Sequence, residues 1–226
     1  MTHWDYGVNR GPEQWSCLSS TFKICDEGKR QSPIDIDTKA AVEAELPPLQ
    51  FHYQASLPTL IHTGNTIQVK LETENHIELT GTRYDFDHFH FHAPAEHTLD
   101  KEAPALELHI VHKSENGAFL VLGIFIKNGA ENTALAPLWS KLPVKSGDTN
   151  SLRSPFHLQD ILPAGTRSYR YPGSLTTPPC SETVDWILLA DCITMSEQQI
   201  SIFQELFAGG NARPVQLLNG RIVQHG

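Results

Sequence analysis

The chain has 226 residues, of which 39% are hydrophobic and 19% are charged, and its formal net charge is -9. This composition is typical of a globular protein with a sizeable core. The acidic balance, with Lys and Arg scattered, excludes a basic surface for nucleic acid. The longest apolar run, residues 119–126, is too short to span a bilayer and predicts a buried strand instead.

The ends of the chain and its cysteines bear on the compartment. No charged segment followed by an apolar stretch opens the sequence, so we expect either a cytosolic protein or one whose signal peptide has been removed. The four cysteines, Cys17, Cys25, Cys180 and Cys192, have no close metal-ligand spacing. They allow three pairings, and four free thiols fit equally well, so the pattern alone leaves the compartment open.

Short strands separated by turns are predicted along the whole chain. Alternating or continuous apolar residues predict strands, in chain order, at 66–71, 76–79, 85–92, 106–111, 119–126 and 186–190. A short helix is predicted at 135–142, and a capping box of Ser196 and Gln199 predicts a helix over 196–207. With no repeat or linker in view, we expect a mainly β fold in a single domain over residues 1–226.

Three histidines, at positions 88, 90 and 92, alternate with phenylalanines on one predicted strand. Alternate residues of a strand share a face, so the three imidazoles point the same way. Residues two apart lie roughly 6.5 to 7 Å from each other and can share one zinc ion, whereas His88 and His92 lie roughly 13 Å apart and cannot. One neighbouring pair with a histidine from another strand, such as His109, therefore predicts a metal site, because three buried rings without a partner would be costly.

A second interpretation competes at this point. The spacing of His90, His92 and Glu96 also matches the HxHxxxE ligand pattern of cupins, in which a later histidine completes the shell. That pattern would suggest an iron or manganese enzyme acting on a small molecule. The glycine and proline context that usually precedes the last cupin ligand is missing around His109 and His112.

Further motifs extend over nearly the whole chain. They are Trp4-x-Tyr6-Gly7, Gln31-Ser32-Pro33-Ile34-Asp35-Ile36, Phe89-His90-Phe91-His92, Glu107-Leu108-His109, Tyr171-Pro172-Gly173-Ser174-Leu175-Thr176-Thr177-Pro178-Pro179-Cys180 and Asn211-x-Arg213-Pro214-Val215-Gln216. Together they resemble the α-class carbonic anhydrases of the bacterial, secreted type, and this resemblance displaces the cupin alternative. It implies a central, largely antiparallel, twisted sheet of about ten strands with short peripheral helices.

The resemblance also implies an activity and a cofactor. The expected reaction is the reversible hydration of CO2 to bicarbonate and a proton, a lyase reaction that proceeds by attack of a zinc-bound hydroxide. One Zn2+ per chain would be held by His90, His92 and His109. Two other classes remain: a relative that has lost zinc and serves as a binding module, and a general zinc esterase.

Individual roles follow from the same resemblance. Thr176 would accept a hydrogen bond from the nucleophile and direct its own proton to Glu96. Around the ligands, Glu107 would accept a hydrogen bond from His109, and the backbone carbonyl of Asn211 would accept one from His92. His88, where the family usually has Gln, would accept a hydrogen bond from the first ligand, His90. The substrate-binding residues implied are Thr177, Val111, Val121, Leu175 and Trp186.

Proton transfer is where the chain departs from the fastest relatives, because Asn65 stands at the position of their shuttle histidine. An amide does not titrate near neutral pH. His62 is expected on the opposite face of its strand, while Tyr6 could order water and His3 could reach the cavity rim. Proton release is therefore expected to limit turnover.

The resemblance further implies a disulfide between Cys25 and Cys180, and with it a periplasmic or extracellular location. The resemblance does not fix the state of Cys17 and Cys192. They pair with each other, stay free, or bridge two subunits of a homodimer. The expected small-molecule partners are CO2 and bicarbonate, with no nucleic acid and no membrane span.

Overall fold

The computed structural model describes residues 2–226, and its main element is a 12-stranded twisted sheet flanked by short helices. The strands are β1 (Asp35–Ile36), β2 (Val42–Glu43), β3 (Gln50–His52), β4 (Pro58–His62), β5 (Ile67–Leu71), β6 (His76–Leu79), β7 (Thr82–His92), β8 (Thr98–Leu99), β9 (Leu106–Ser114), β10 (Phe119–Asn128), β11 (Thr149–Ser151), β12 (Ser168–Gly173), β13 (Val184–Met195) and β14 (Gln224–His225). The α-helices are α1 (Trp15–Leu18), α2 (Ile24–Glu27), α3 (Ala136–Trp139) and α4 (Glu197–Leu206), and 3-10 turns occur at Ser20–Phe22 and Leu158–Ile161.

The order of strands across the sheet is β11-β4-β5-β7-β9-β10-β13-β12-β14-β2, with β6 and then β3 branching from β7. Pairing is antiparallel except for β10 with β13 and β14 with β2, so the largely antiparallel sheet predicted is confirmed. The two remaining strands, β1 and β8, form a separate parallel pair. Among residues 2–226, none of the helices has the length and apolar character needed to cross a bilayer.

The central strands divide their side chains between two faces. Phe89 and Phe91 of β7 point to the larger apolar core, where Phe91 packs edge-on against Trp139 of α3 and also contacts Phe203 of α4. The intervening histidines point the other way, as the alternation of the sequence predicted. A smaller apolar cluster that includes Val111, Val121 and Trp186 lies on the histidine side.

Two local predictions need correction and one is confirmed. The helix predicted at 135–142 is only the single turn α3, because the hydrogen bonds to the residue four back end at Ser140 and the Lys141 N–H instead bonds the Leu138 oxygen three residues back. Strand β7 has a bulge between Phe86 and His88, which shifts its register against β9. The capping box at the start of α4 is present, with the Ser196 hydroxyl accepting from the Gln199 N–H.

Candidate metal centre

Three histidines of β7 and β9 converge at the base of a cavity. The antiparallel register places His90 directly opposite His109, and His92 lies two residues further along β7. The three ring centroids are 4.7 to 5.2 Å apart, and each ring offers a nitrogen within 4.8 Å of the others. The structure thus brings together the three predicted ligands, and His88 lies outside the group.

Two of the three imidazoles have one nitrogen engaged by the protein and the other left for an ion. His92 Nδ1–H donates to the backbone oxygen of Asn211 at 2.7 Å, and His109 Nε2–H donates to Glu107 at 2.8 Å. His92 Nε2 is buried and has no hydrogen-bond partner within residues 2–226. A buried polar atom without a hydrogen-bond partner is unusual in a folded protein. A metal ion would provide the missing partner, because neutral imidazole is the commonest metal ligand.

The electrostatics of the three rings suit a cation. Burial, with the neighbouring His109, lowers the pKa of His92 to about 3. Burial also lowers the pKa of His90 well below its ordinary value, and that of His109 in the same direction against the opposing effect of Glu107. Each ring is therefore neutral at pH 7. A neutral imidazole has one nitrogen without a proton, and the lone pair of that nitrogen can bind an ion. The donor set fits a divalent ion such as Zn2+.

Glu107 organises the buried side of this centre. Its carboxylate accepts four hydrogen bonds, all at 2.8 Å, from the backbone N–H groups of Glu96 and His97 and from the side chains of His97 and His109. Burial alone would raise the pKa of Glu107, but the two imidazoles outweigh it and hold that pKa well below its usual value. The contact of Glu107 with His109 is the one that the sequence predicted.

His97 is a part of the centre whose role the sequence analysis missed. Its Nδ1 lies 2.8 Å from Glu107, its Nε2 lies 2.6 Å from the Tyr171 hydroxyl, and its ring packs against Trp186. The Glu96-His97-Thr98 segment is a loop that enters β8, so no periodic pattern marks His97 as buried. Its only signal in the sequence is that the Glu96-His97-Thr98 segment is one of the motifs that carry the family resemblance, which assigned His97 no role.

The predicted role of His88 is not found. His88 Nδ1 bonds the Asp87 carboxylate at 2.5 Å, and Nε2 lies 3.4 Å from the side-chain amide of Gln68, so neither nitrogen is paired with His90. His90 Nδ1 is buried without a hydrogen-bond partner within the described part of the chain. The reason is the bulge in β7, which brings Asp87 to the cavity side where it competes for the His88 ring.

Thr176, Glu96 and Arg213 form a second connected group beside the ligands. Glu96 accepts the backbone N–H of Arg213 at 2.9 Å through Oε1, and its Oε2 lies 3.3 Å from His92 Nε2. Burial raises the pKa of Glu96 well above its ordinary value, while the neighbouring Thr176 hydroxyl and the Arg213 N–H oppose the rise. Thr176 thus lies against Glu96, as predicted.

Arg213 extends this group to the rest of the fold. Its buried guanidinium donates to Gln31, to the backbone oxygen of Ser32 and to that of Cys25. The motif containing Arg213 was recognised from the sequence, but its function as a connector was not. A long side chain in a loop gives no sign of the backbone oxygens it will reach.

The centre opens into a cavity of about 520 Å³. Its lining includes every predicted substrate-binding residue: Thr177, Val111, Val121, Leu175 and Trp186. Val111, Val121 and Trp186 are buried and continuous with the smaller apolar cluster. One part of the cavity is therefore apolar, next to a base formed by imidazoles.

The residues considered for proton transfer fall at different distances from this cavity. Asn65 and Tyr6 line it. Burial and the Glu96 carboxylate raise the pKa of Tyr6 well above its usual value, so the phenol keeps its proton. His62 is buried against Phe207 and accepts the Gly64 N–H, which places it away from the cavity lining as its strand position predicted.

The predicted disulfide between Cys25 and Cys180 is present. It joins helix α2 to the loop that follows Thr176, and the Cys180 carbonyl accepts a further hydrogen bond from Gln31. Cys17 is exposed, Cys192 is partly buried, and both are free thiols, so they do not pair with each other.

Comparisons with known proteins agree with this arrangement. The model of the eukaryotic-type carbonic anhydrase family matches residues 10–226. A carbonic anhydrase of Pectobacterium carotovorum is 40% identical over 223 residues, covering 99% of this chain and 91% of the relative, and one of Klebsiella pneumoniae is 41% identical, covering 98% and 90%. The solved α-carbonic anhydrase of Thermovibrio ammonificans, in complex with the inhibitor sulfanilamide, superposes with a TM-score of 0.97 at 40% identity, covering 99% of both chains. The chain belongs to the α-class, or eukaryotic-type, carbonic anhydrase family, and it is an enzyme of that family.

Proposed function

We propose that the chain catalyses the zinc-dependent, reversible hydration of CO2 to bicarbonate and a proton. The observation that carries the proposal is the convergence of three neutral imidazoles, the partly buried His90 and the buried His92 and His109, at the base of a partly apolar cavity. When bound there, Zn2+ would act as a Lewis acid and lower the pKa of a water ligand to about 7. Because all three protein ligands are neutral, the full charge of the ion would remain available for this effect.

The chain's own residues would hold and direct the attacking oxygen. The Thr176 hydroxyl has one proton to donate, and Glu96 beside it would be the acceptor. The Thr176 oxygen is then left to accept a hydrogen bond from the nucleophile, which turns a lone pair of the nucleophile toward CO2. Glu96 stays in place because its Oε1 is engaged by the Arg213 N–H at 2.9 Å.

The apolar part of the cavity would bind the other reactant. CO2 is small, linear and without net charge, so it is accommodated by side chains such as Val111, Val121 and Trp186 rather than by polar groups. Leu175 belongs to the same wall, and Thr177 offers a hydroxyl at its edge for the bicarbonate product. This order of polarity, with imidazoles at the base and apolar groups beside them, supports the proposal because it would bring the substrate next to the nucleophile.

The test measures CO2 hydration with a stopped-flow indicator assay on three samples. They are purified protein, protein stripped of metal with a chelator, and stripped protein given one equivalent of Zn2+. We expect activity to be lost with the metal and restored with it, and to be inhibited by sulfanilamide. The exposed His157 provides the control, because His157→Gln should behave as wild type. Undiminished hydration after the metal has been removed, or none in zinc-loaded protein, contradicts the proposal.

We also propose that the protein works in the periplasm or outside the cell, as a single domain over residues 1–226. The Cys25–Cys180 disulfide supports the location, since such bonds persist in oxidising compartments. One sheet with strands from residue 42 to residue 225 supports the single domain. Cell fractionation with alkylation of free thiols tests the location: Cys25 should be protected and Cys17 labelled in the periplasmic or extracellular fraction.

A further inference from the structure

A second group of metal-ligating side chains lies on the outer strands β3 and β6. His52, His76 and Glu78 each offer one ligand atom, and these atoms all lie within 4.8 Å of one another. None of the three lines the cavity of the candidate metal centre. The group therefore needs an explanation separate from CO2 hydration.

The sheet itself brings these side chains together. His52 and His76 are directly opposite each other in the antiparallel pair of β3 and β6, and their rings stack with centroids 4.4 Å apart and planes 7° apart. Glu78 is two residues beyond His76, so it shares that face, and its carboxylate lies 3.8 Å from His76 Nε2. Two imidazoles and a carboxylate on neighbouring strand positions form a ligand set fixed by register rather than by loops.

The surrounding charges favour a cation. Asp85 lies opposite His76 on β7, and Arg83 lies opposite Glu78. The Arg83 guanidinium is engaged by Asp85 at 2.7 Å and by Glu74 at 3.5 Å, which offsets its positive charge. Three carboxylates, those of Glu74, Glu78 and Asp85, therefore lie around one guanidinium in this part of the sheet.

We propose that His52, His76 and Glu78 bind a divalent first-row transition-metal ion, such as Ni2+, Cu2+ or Zn2+, at a second site on the sheet. Imidazole ligands suit these ions, whereas Mg2+ and Ca2+ prefer oxygen atoms alone. Two ligand atoms on one such ion are at most about 4.2 Å apart. The His52 ring stacks against His76 on one face, but the residue is exposed, so the ring can turn by the small amount that this requires.

A bound ion would tie β3 to the rest of the sheet. Strand β3 has three residues and, among residues 2–226, pairs only with β6. A ligand from each strand on one ion would link them without relying on the short hydrogen-bonded ladder. Binding to the folded state alone would then stabilise the protein in proportion to the logarithm of the ion concentration.

The test uses the zinc-loaded enzyme, so that the catalytic site is filled before the titration begins. Isothermal titration with Ni2+ should reveal one further equivalent per chain, and the melting temperature should rise with Ni2+ concentration. His52→Ala and His76→Ala should each weaken this binding on the order of tenfold or more, because each removes one of three protein ligands. Cu2+ added in a separate sample should give an electron paramagnetic resonance signal with coupling to two nitrogens, reduced to one in His52→Ala.

The control is His157→Ala, which removes an exposed histidine away from β3 and β6 and should leave the Ni2+ titration unchanged. CO2 hydration should be the same in all three variants before Ni2+ is added, which shows that each is folded. If no further equivalent of Ni2+ is bound, or if the extra equivalent is bound with the same affinity by His52→Ala and His76→Ala, the proposed site is wrong. The result does not depend on whether the cavity hydrates CO2.

Discussion

Strands β7 and β9 form one wall of the cavity and carry the three imidazoles, whereas residues 174–180 form another wall, a loop that carries Thr176. We call them the sheet wall and the loop wall. On the sheet wall, ligand positions follow from strand register, since His90 and His109 are paired across the ladder. On the loop wall, no ladder exists, and the segment is held by cross-links to the distant residues 25–32.

This difference separates two properties of the site. The sheet wall supplies the atoms that would bind the ion, together with the Glu107 carboxylate that holds His109. The loop wall supplies the hydroxyl that would orient the nucleophile, and its attachment depends on the Cys25–Cys180 bond and on Ser174, which exchanges hydrogen bonds with Ser32. Changes to the sheet wall should therefore alter metal affinity, and changes to the loop wall should alter rate or stability.

The largest effect is expected when the loop wall is released. The Cys25–Cys180 bond spans a sequence separation of 155 residues. Closing a loop of that length restricts the unfolded chain, so Cys25→Ser with Cys180→Ser should lower the free energy of unfolding by about 4 to 5 kcal/mol. Urea denaturation measures the change. Cys17→Ser, at an exposed free thiol, is the matched control and should leave the unfolding midpoint in place.

In the same double variant, zinc content measured on folded protein should stay at one equivalent, because the sheet wall is unchanged. A double variant as stable as wild type would show that the loop wall is held by its hydrogen bonds to residues 31 and 32 alone. Loss of zinc from the folded variant would contradict the separation of the two walls.

Thr176→Val should slow the reaction without releasing the ion. Valine has nearly the same shape but lacks the hydroxyl that interacts with Glu96. Removing one oriented hydrogen bond from a reacting centre typically costs on the order of 100-fold or more in rate, so kcat/KM for CO2 hydration should fall by about that factor. Zinc content by mass spectrometry should remain at one equivalent. Thr149→Val, at an exposed position of β11, is the control, and a metal-free Thr176→Val protein would contradict the prediction.

Glu107→Gln should have the opposite signature. The substitution keeps the shape of the side chain but removes the negative charge that accepts the hydrogen bond from His109. Loss of a partner that orients a metal ligand usually reduces metal affinity by about 10- to 100-fold. Competition with a chromophoric chelator measures the zinc Kd. The exposed Glu102→Gln is the control, and an unchanged Kd in Glu107→Gln would show that strand register alone positions His109.

The sequence predicted the sheet wall better than the loop wall for a physical reason. Alternation of His90 and His92 with phenylalanines is a local pattern that a strand converts directly into a face, and the capping box of α4 is equally local. The bulge at residues 86–88 depends on how β7 meets β9, so the pairing of His88 with Asp87 could not be predicted. A short strand such as β14 has too few residues to show a periodic pattern, and it is defined only by its pairing with neighbouring strands.

Connections made by loops were visible only through the family resemblance. Cys25 and Cys180 are far apart in the chain, and composition allowed three pairings. His97 and Arg213 reach their partners from segments without periodicity, and their roles appear only once Glu107 and Glu96 are in place. Residue spacing predicts which side chains share a face of one strand. The contacts that hold those side chains come from residues distant in the sequence and are known only from the folded structure.

The smallest effect is expected at Asn65, on the turn before β5 that lines the cavity beside both walls. Its amide side chain cannot carry a proton at neutral pH, and His62 nearby is buried against Phe207. The backbone oxygen of Asn65 accepts from Asn211 at 2.9 Å, a contact that a change of side chain preserves. Asn65→His should therefore raise kcat, by less than the roughly 100-fold at which general acid–base effects usually begin, since buffer already removes the proton in wild type. The change in kcat/KM should be small, because CO2 is attacked before the proton is released. In wild type, kcat should rise with imidazole buffer concentration, and Asn65→Gln should retain that dependence as the matched control. A wild-type kcat that is insensitive to buffer, together with no gain in Asn65→His, would show that another group lining the cavity already transfers the proton.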